Sequence, residues 1–313
     1  MKNSSVNSAG LRGQVAGETE LCTVGQSGTG LTYRGYEITD LAENAEFEEI
    51  AFLLLKGHLP NLQELNNYKS KLKKLRNLPE EVKKVLEQIP SNSHPMDVMR
   101  TGCSILGCIE TEANFSQEDD KIDRMLALFP SIITYWYKFS HENKKINTET
   151  DDDTIGSHFL SLLHGEKPSS LYTKVMNVSL ILYAEHEFNA STFAARVCAS
   201  TLSDIHSCIT AAIGTLRGPL HGGANEAAMD LIQSFENPDD AENKLMDMLA
   251  RKEKIMGFGH AVYKVSDPRN NVIKGWSEKL ANEINDDKLY PISVRCEEVM
   301  WREKKLFCNA DFF

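Results

Sequence analysis

Four short segments place polar side chains where a plain apolar core has no use for them. In the first, Arg217-Gly-Pro-Leu-His221-Gly-Gly-Ala-Asn225, Gly218 and Pro219 end one helix, and Gly222 and Gly223 turn the chain before another begins near Ala224. A histidine just before a helix amino terminus is pushed towards its neutral form by the dipole. Neutral imidazole can donate a hydrogen bond to a developing oxyanion without giving up its proton. A capping histidine in a tight turn is the competing reading. The second segment is Met256-Gly257-Phe258-Gly259-His260-Ala-Val-Tyr-Lys264, followed by Asp267-Pro-Arg269. Its glycines let backbone approach a ligand closely, and Lys264 and Arg269 supply local positive charge. The arginine fork suits a carboxylate. An ordinary surface turn with a helix start at Pro268 is the alternative. In the third, Tyr183-Ala-Glu185-His186-Glu187-Phe-Asn189-Ala-Ser191, a salt-bridged surface histidine competes with a ligand-binding one. In the fourth, Lys304-Lys305-Leu-Phe-Cys-Asn309-Ala-Asp311-Phe-Phe313, an aspartate sits among apolar neighbours. A carboxyl so placed has a raised pKa and suits a general base, although a helix or turn cap fits the same pattern.

Helices are expected to position these segments. Met125, Leu128, Ile132, Tyr135 and Phe139 recur at three- and four-residue steps, as do Leu171, Val175, Val178 and Leu182, with Pro168 as a first-turn residue. Gly57 and Pro60 stop the apolar run Ile50 to Leu55. Further helices are expected at 61–76, 80–89, 96–109, 190–213, 224–236, 239–252 and 269–284. The one extended signal surrounds Leu31-Thr-Tyr33, so the fold class is all-α with a short amino-terminal hairpin. Gly25, Gly28 and Gly30 lack the strand–helix unit of a dinucleotide fingerprint, and His164-Gly-Glu-Lys-Pro168 lacks phosphate-loop spacing. Asp151-Asp-Asp153 reads as a solvated loop ending in a helix cap before Ile155, with cation binding as the alternative.

Composition narrows the function classes. The chain of 313 residues carries a net charge of -11, which argues against nucleic-acid binding. Any anionic substrate must therefore meet locally concentrated basic residues. Seven cysteines without a C-x-x-C pair read as reduced thiols in a cytoplasmic protein. No paired-cysteine or HExxH spacing suggests a metal site, and no apolar run approaches a membrane span. The Ser/Asn/Gly-rich first 17 residues read as a disordered terminus, with a degraded transit peptide as the alternative.

Together the order and spacing of His186, His221, His260, Arg269 and Asp311 resemble the active site of the citrate synthase family. The segments Leu31-Thr-Tyr-Arg-Gly-Tyr36, Phe47-Glu-Glu-Ile-Ala-Phe-Leu-Leu-Leu55 with Leu59-Pro60, and Gly218 to Asn225 match as well. The resemblance runs from about residue 14 to the end. Ala16 to Gly25, Ser93-His-Pro-Met-Asp-Val-Met-Arg-Thr-Gly102 and Glu149 to Pro168 look most like the 2-methylcitrate synthase subgroup.

That resemblance implies an acyltransferase that condenses propionyl-CoA with oxaloacetate, as in propionate catabolism through the methylcitrate cycle. Asp311 would be the base, His221 the enolate-stabilising group and His260 the residue that polarises the ketone. Arg269 and His186 would hold the oxaloacetate carboxylates. Gly257, Phe258, Gly259, Lys264, Lys304, Lys305 and Asn309 would meet coenzyme A; for the lysine pair a solvated helix end is the alternative. No metal or redox cofactor is implied, the CoA thioester being a substrate. The family fold implies a large domain over residues 1–221, a small one over 222–313 that closes on the substrate, and a homodimer. Family members continue beyond the position of Asp311 with segments carrying two more arginines, one from the partner subunit, and activity and the dimer interface are expected to depend on them. Two alternatives remain: citrate synthase proper, using acetyl-CoA, and a non-catalytic family member that binds without turnover.

Overall fold

A computed structural model describes residues 16–25 and 30–313; Gly28 and all but the last two residues of the expected disordered terminus lie outside the described residues. Three short strands open the chain: β1 (Cys22–Val24), β2 (Leu31–Tyr33) and β3 (Tyr36–Glu37). They form an antiparallel sheet in sequence order, with Cys22 opposite Tyr33 and Tyr33 opposite Tyr36, so a third strand extends the expected hairpin. Leu31 and Tyr33 alternate inwards and are fully buried.

Helices make up most of the remainder. They are α1 (Ile38–Asn44), α2 (Phe47–Lys56), α3 (Leu62–Lys74), α4 (Glu80–Leu86), α5 (Pro95–Ile109), α6 (Glu118–Glu142) and α7 (Ile155–His164). After them come α8 (Ser170–Leu182), α9 (Ala190–Ala199), α10 (Ile205–Leu216), α11 (Gly223–Gln233), α12 (Pro238–Ala250), α13 (Pro268–Ile284) and α14 (Leu289–Lys304). Local chemistry sets the ends. Gly57 closes α2 in the left-handed region at φ 92°, and the Thr154 side chain accepts from Ser157 N to open α7 after the acidic loop. Pro168 lies outside α8: Ser169 is the cap and the helix starts at Ser170, because a hydroxyl can satisfy the free Tyr172 N–H and proline has no such acceptor.

One expected helix is two. The continuous periodicity over 190–213 hides a break at residues 200–204, where Leu202 has φ 61° and Asp204 caps α10 by accepting from Ser207 N. The hairpin that results packs α9 against α10, and its first turn carries Ser191, a site residue.

Side chains bury into several apolar clusters. One gathers the strands, α1, α2 and the end of α8, and takes Tyr263, with Val272, Ile273 and Trp276 of α13 against it. Another joins α4, α5, α6 and Ile213 of α10. A third is built wholly from residues between Ala228 and Phe313, including Ile232, Leu245, Ile255, Cys296, Cys308 and Phe312. The candidate site lies where the first and third clusters meet, because the loop after Ile255 leaves the third and reaches the first at Tyr263. Among the described residues no helix is long and apolar enough to cross a membrane.

Candidate active site

His186 sits on the turn between α8 and α9. Its Nε2 is 3.0 Å from Tyr263 Oη, and its ring meets that of His260 edge-on at 5.2 Å between centroids. Burial first, then the charge of Arg269 and the competing imidazole of His260, lower its pKa to about 3, so His186 is a neutral group at physiological pH. The surface, salt-bridged histidine is therefore not what forms: the Glu185 and Glu187 beside it make no ion pair with it.

The His260 loop is pinned by backbone. His260 Nδ1 accepts from Val262 N at 3.1 Å and Tyr263 N at 3.3 Å. A nitrogen that accepts carries no proton, so the neutral ring bears its hydrogen on Nε2, which is left as a donor. Burial lowers this histidine's pKa and keeps it neutral.

His221 follows the same logic with the nitrogens exchanged. Its Nε2 accepts from Ser191 N at 3.2 Å and lies 2.9 Å from Ser191 Oγ, which places the proton on Nδ1. Its pKa is lowered by burial. The neutrality expected from the helix dipole of α11 thus has a different cause, since the ring turns back to the first turn of α9.

Arg269 departs further from expectation. It opens α13, is 8% exposed, and its Nε and Nη2 fork onto Asp267 Oδ1 and Oδ2 at 3.0 and 2.8 Å. The bidentate face expected for a substrate carboxylate is taken by Asp267, because a guanidinium this buried needs a partner in the protein. Nη1 makes no hydrogen bond among the described residues. Asp267 also accepts from Arg269 N and from Ala310 N, which ties the start of α13 to the segment carrying Asp311.

Asp311 rests on a short ladder. Phe258 bridges Cys308, Gly259 N donates to Phe307 O, and Asn309 N donates to Gly257 O. Burial raises the Asp311 pKa; Arg269 opposes, Asp267 adds to it, and Tyr183 opposes. Tyr183 Oη donates to Ala310 O at 2.7 Å and lies 3.5 Å from Asp311 Oδ1, while Asn225 Nδ2 donates to it at 3.4 Å. Through Tyr183 the helix that follows His221, α11, is linked to the aspartate.

The residues expected to meet coenzyme A divide. Asn309 spends its amide inside the protein, donating to Gly259 O and accepting from Asp311 N, which positions the aspartate. Gly257 is tight against a ring, since a Cβ there would come within 2.6 Å of Phe312, and Phe258 packs on the third cluster. The close backbone approach that glycine permits is thus made, for Gly257, to Phe312. Lys264, Lys304 and Lys305 are exposed and form no ion pair among the described residues; Lys264 donates to Ala261 O, and Lys305 lies over the Trp301 ring.

The arrangement brings His186, His260 and Arg269 together, ties Asp311 to them through Asp267 and Ala310 N, and adds His221 through Tyr183 and Asn225. The family described as "Citrate synthase, C-terminal domain" matches residues 10–313. The chain belongs to the citrate synthase family. It is 68% identical over 305 residues to 2-methylcitrate synthase of Shewanella oneidensis, covering 97% of this chain and 81% of that one. It is 36% identical over 317 residues to citrate/2-methylcitrate synthase of Bacillus subtilis, with 100% and 85% covered. Among solved structures, citrate synthase of Thermoplasma acidophilum in ternary complex with carboxymethyl coenzyme A and oxaloacetate is matched at TM-score 0.90 and 34% identity, covering 98% of this chain and 82% of that one. Citrate synthase of Thermotoga maritima is matched at TM-score 0.85 and 35% identity, with 98% and 82% covered.

Sequence reasoning missed Tyr183, Tyr263 and Asp267 as the hydrogen-bond partners of these residues. Asp267 was readable in one respect, since Asp-Pro-Arg is a cap followed by a first-turn proline. The contacts of the two tyrosines join residues 127 and 77 positions apart, and no local pattern signals them.

Proposed function

We propose that this protein is an acyltransferase that condenses propionyl-CoA with oxaloacetate to give 2-methylcitrate and coenzyme A. The observation that carries the reading is the 68% identity, over nearly the whole chain, to a 2-methylcitrate synthase. The Thermoplasma relative was solved with carboxymethyl coenzyme A and oxaloacetate, which supports the two substrate classes.

The geometry supports a division of labour. Asp311, with a raised pKa in partly apolar surroundings, takes the proton next to the thioester carbonyl. His221 offers Nδ1–H to the enolate oxygen that results, and the Ser191 N–H holds the opposite nitrogen so that the donor cannot turn away. His260 offers Nε2–H to the ketone of oxaloacetate. Arg269 Nη1 and neutral His186 receive its carboxylates, with Asp267 fixing the guanidinium plane. The new carbon–carbon bond gives an acyl-CoA adduct whose thioester is hydrolysed by water, releasing coenzyme A. Proton transfer and polarisation by hydrogen bonds suffice for each step, so the reaction calls for neither metal nor redox cofactor. The three exposed lysines are available to the CoA phosphates. The domain division at 221/222, closure on substrate, a homodimer and a cytoplasmic location belong to the same proposal.

The test is CoA release with oxaloacetate, comparing propionyl-CoA with acetyl-CoA. Turnover favouring propionyl-CoA is expected. One methylene in an apolar pocket is worth only about 1–3 kcal/mol, so some acetyl-CoA turnover should accompany it. A clear preference for acetyl-CoA would replace the reading with citrate synthase.

A further inference from the structure

The amino-terminal strands reach the same site from behind. Cys22 in β1 is 4% exposed; its Sγ accepts from Glu187 N at 3.0 Å and donates to Glu185 Oε1 at 3.5 Å. These bonds fall on either side of His186. Tyr33, directly opposite Cys22 in the β1–β2 register, is fully buried; its hydroxyl donates to Ile181 O at 2.9 Å and accepts from Glu185 N at 3.3 Å. Two paired strand residues thus grip the turn at Ile181 O, Glu185 N, the Glu185 carboxyl and Glu187 N.

The turn needs such a grip. Glu187 has φ 57°, in the left-handed region that a side chain disfavours, so outside contacts must hold it. The thiol is suited to its part, because burial and then the Glu185 charge push its pKa up to about 12, leaving the S–H in place as donor. The same strands also back the His260 loop. At Gly25, φ 64°, a Cβ would lie 3.0 Å from Val262 and 3.7 Å from Tyr263, whose hydroxyl is the partner of His186.

We propose that the β1–β2 ribbon is a positioning element of the active site, in which Cys22 and Tyr33 clasp the 181–187 turn and hold His186 in its buried place. The groups that face His186 are Arg269 and His260, which disfavour a proton on it, Asp267, which favours one, and the Tyr263 hydroxyl 3.0 Å from its Nε2; Glu185 and Glu187 flank it. Loosening the clasp lets the ring reach water and recover an ordinary histidine affinity for protons. The consequence for catalysis rests on the reading of His186 as an oxaloacetate ligand; the consequence for titration does not.

Cys22→Ala, Cys22→Ser and Tyr33→Phe are compared with the unaltered protein by imidazole NMR titration between about pH 5 and pH 8, where a free histidine changes charge. His186 is expected to stay silent in the unaltered protein and in Cys22→Ser, whose hydroxyl can make both bonds, and to titrate in Cys22→Ala and Tyr33→Phe. The loss of such a hydrogen bond should raise KM for oxaloacetate about tenfold in Cys22→Ala and leave KM for the acyl-CoA within about twofold. A His186 that stays silent in both Cys22→Ala and Tyr33→Phe overturns the clasp. Titration that appears in an alanine variant whose parent shows no turnover supports the clasp and sinks the functional reading instead.

Discussion

Asp311 has its proton affinity set by neighbours of opposite effect. Burial and Asp267 raise it, and Arg269 and the Tyr183 hydroxyl lower it. A base must be ionised to act, so the rate falls as pH drops through the folded pKa, which stands above that of a free aspartate. Removing the hydroxyl removes one lowering influence. Tyr183→Phe should therefore move the acid limb of the kcat–pH profile to higher pH. Because Ala310 O takes the hydroxyl proton at 2.7 Å and Asp311 lies at 3.5 Å, the shift should be small. An unmoved or acid-shifted limb would show that the hydroxyl serves Ala310 alone. At this scale the five polar residues were legible because glycines, a proline or apolar neighbours mark their segments. Their partners were not. Cys22 meets Glu187 across 165 positions, and the fork of Arg269 onto Asp267 is local in sequence yet gives no sign that burial will close it.

Several elements were legible because their ends carry side-chain chemistry. Helices α3, α12 and α13 open on Asn61, Asn237 and Asp267, each accepting backbone N–H bonds, and all three fall within two residues of expectation. Helix α1 has no side-chain cap and went unread. Of helix α14 only an end at the lysine pair was read, although Asp286 accepts from Lys288, Leu289 and Tyr290 N, a start signal ahead of buried Ile292, Cys296, Val299 and Met300. The break between α9 and α10 shows how periodicity misleads, since apolar residues continue in phase across a capped gap. Asp204→Ala tests that gap. In one unbroken helix alanine would stabilise. At a cap it should cost about 1 kcal/mol in urea unfolding, with Asp204→Asn within a few tenths of the parent. A more stable alanine variant would exclude the capping role.

The distribution of the site over two apolar clusters gives the whole molecule a part in the reaction. The turn with His186 and the start of α13 rest on the cluster that includes Tyr33, Ile181 and Tyr263, with Val272 of α13 packed against it. Asp311 lies between Ala310 and Phe312, and Phe312 belongs to the cluster of residues 228–313. The two bodies of packing are joined near the site by the Asp267–Ala310 bond and by Tyr183 reaching Ala310 O. A ligand that touches His186, Arg269 and His260 adds contacts at this junction, so its binding free energy appears as stability of the assembled state. Oxaloacetate at a hundred times its dissociation constant should add about 2.7 kcal/mol and raise Tm. The gain should have an address. Hydrogen exchange should slow in the 181–187 turn and also in 257–264 and 307–311, while α4, in the second cluster, and α3, buried through Tyr68 and Leu72 against Ala127 of α6, exchange as before. Protection confined to the 181–187 turn would mean that oxaloacetate engages one cluster alone, and His260 would then have no role in holding it.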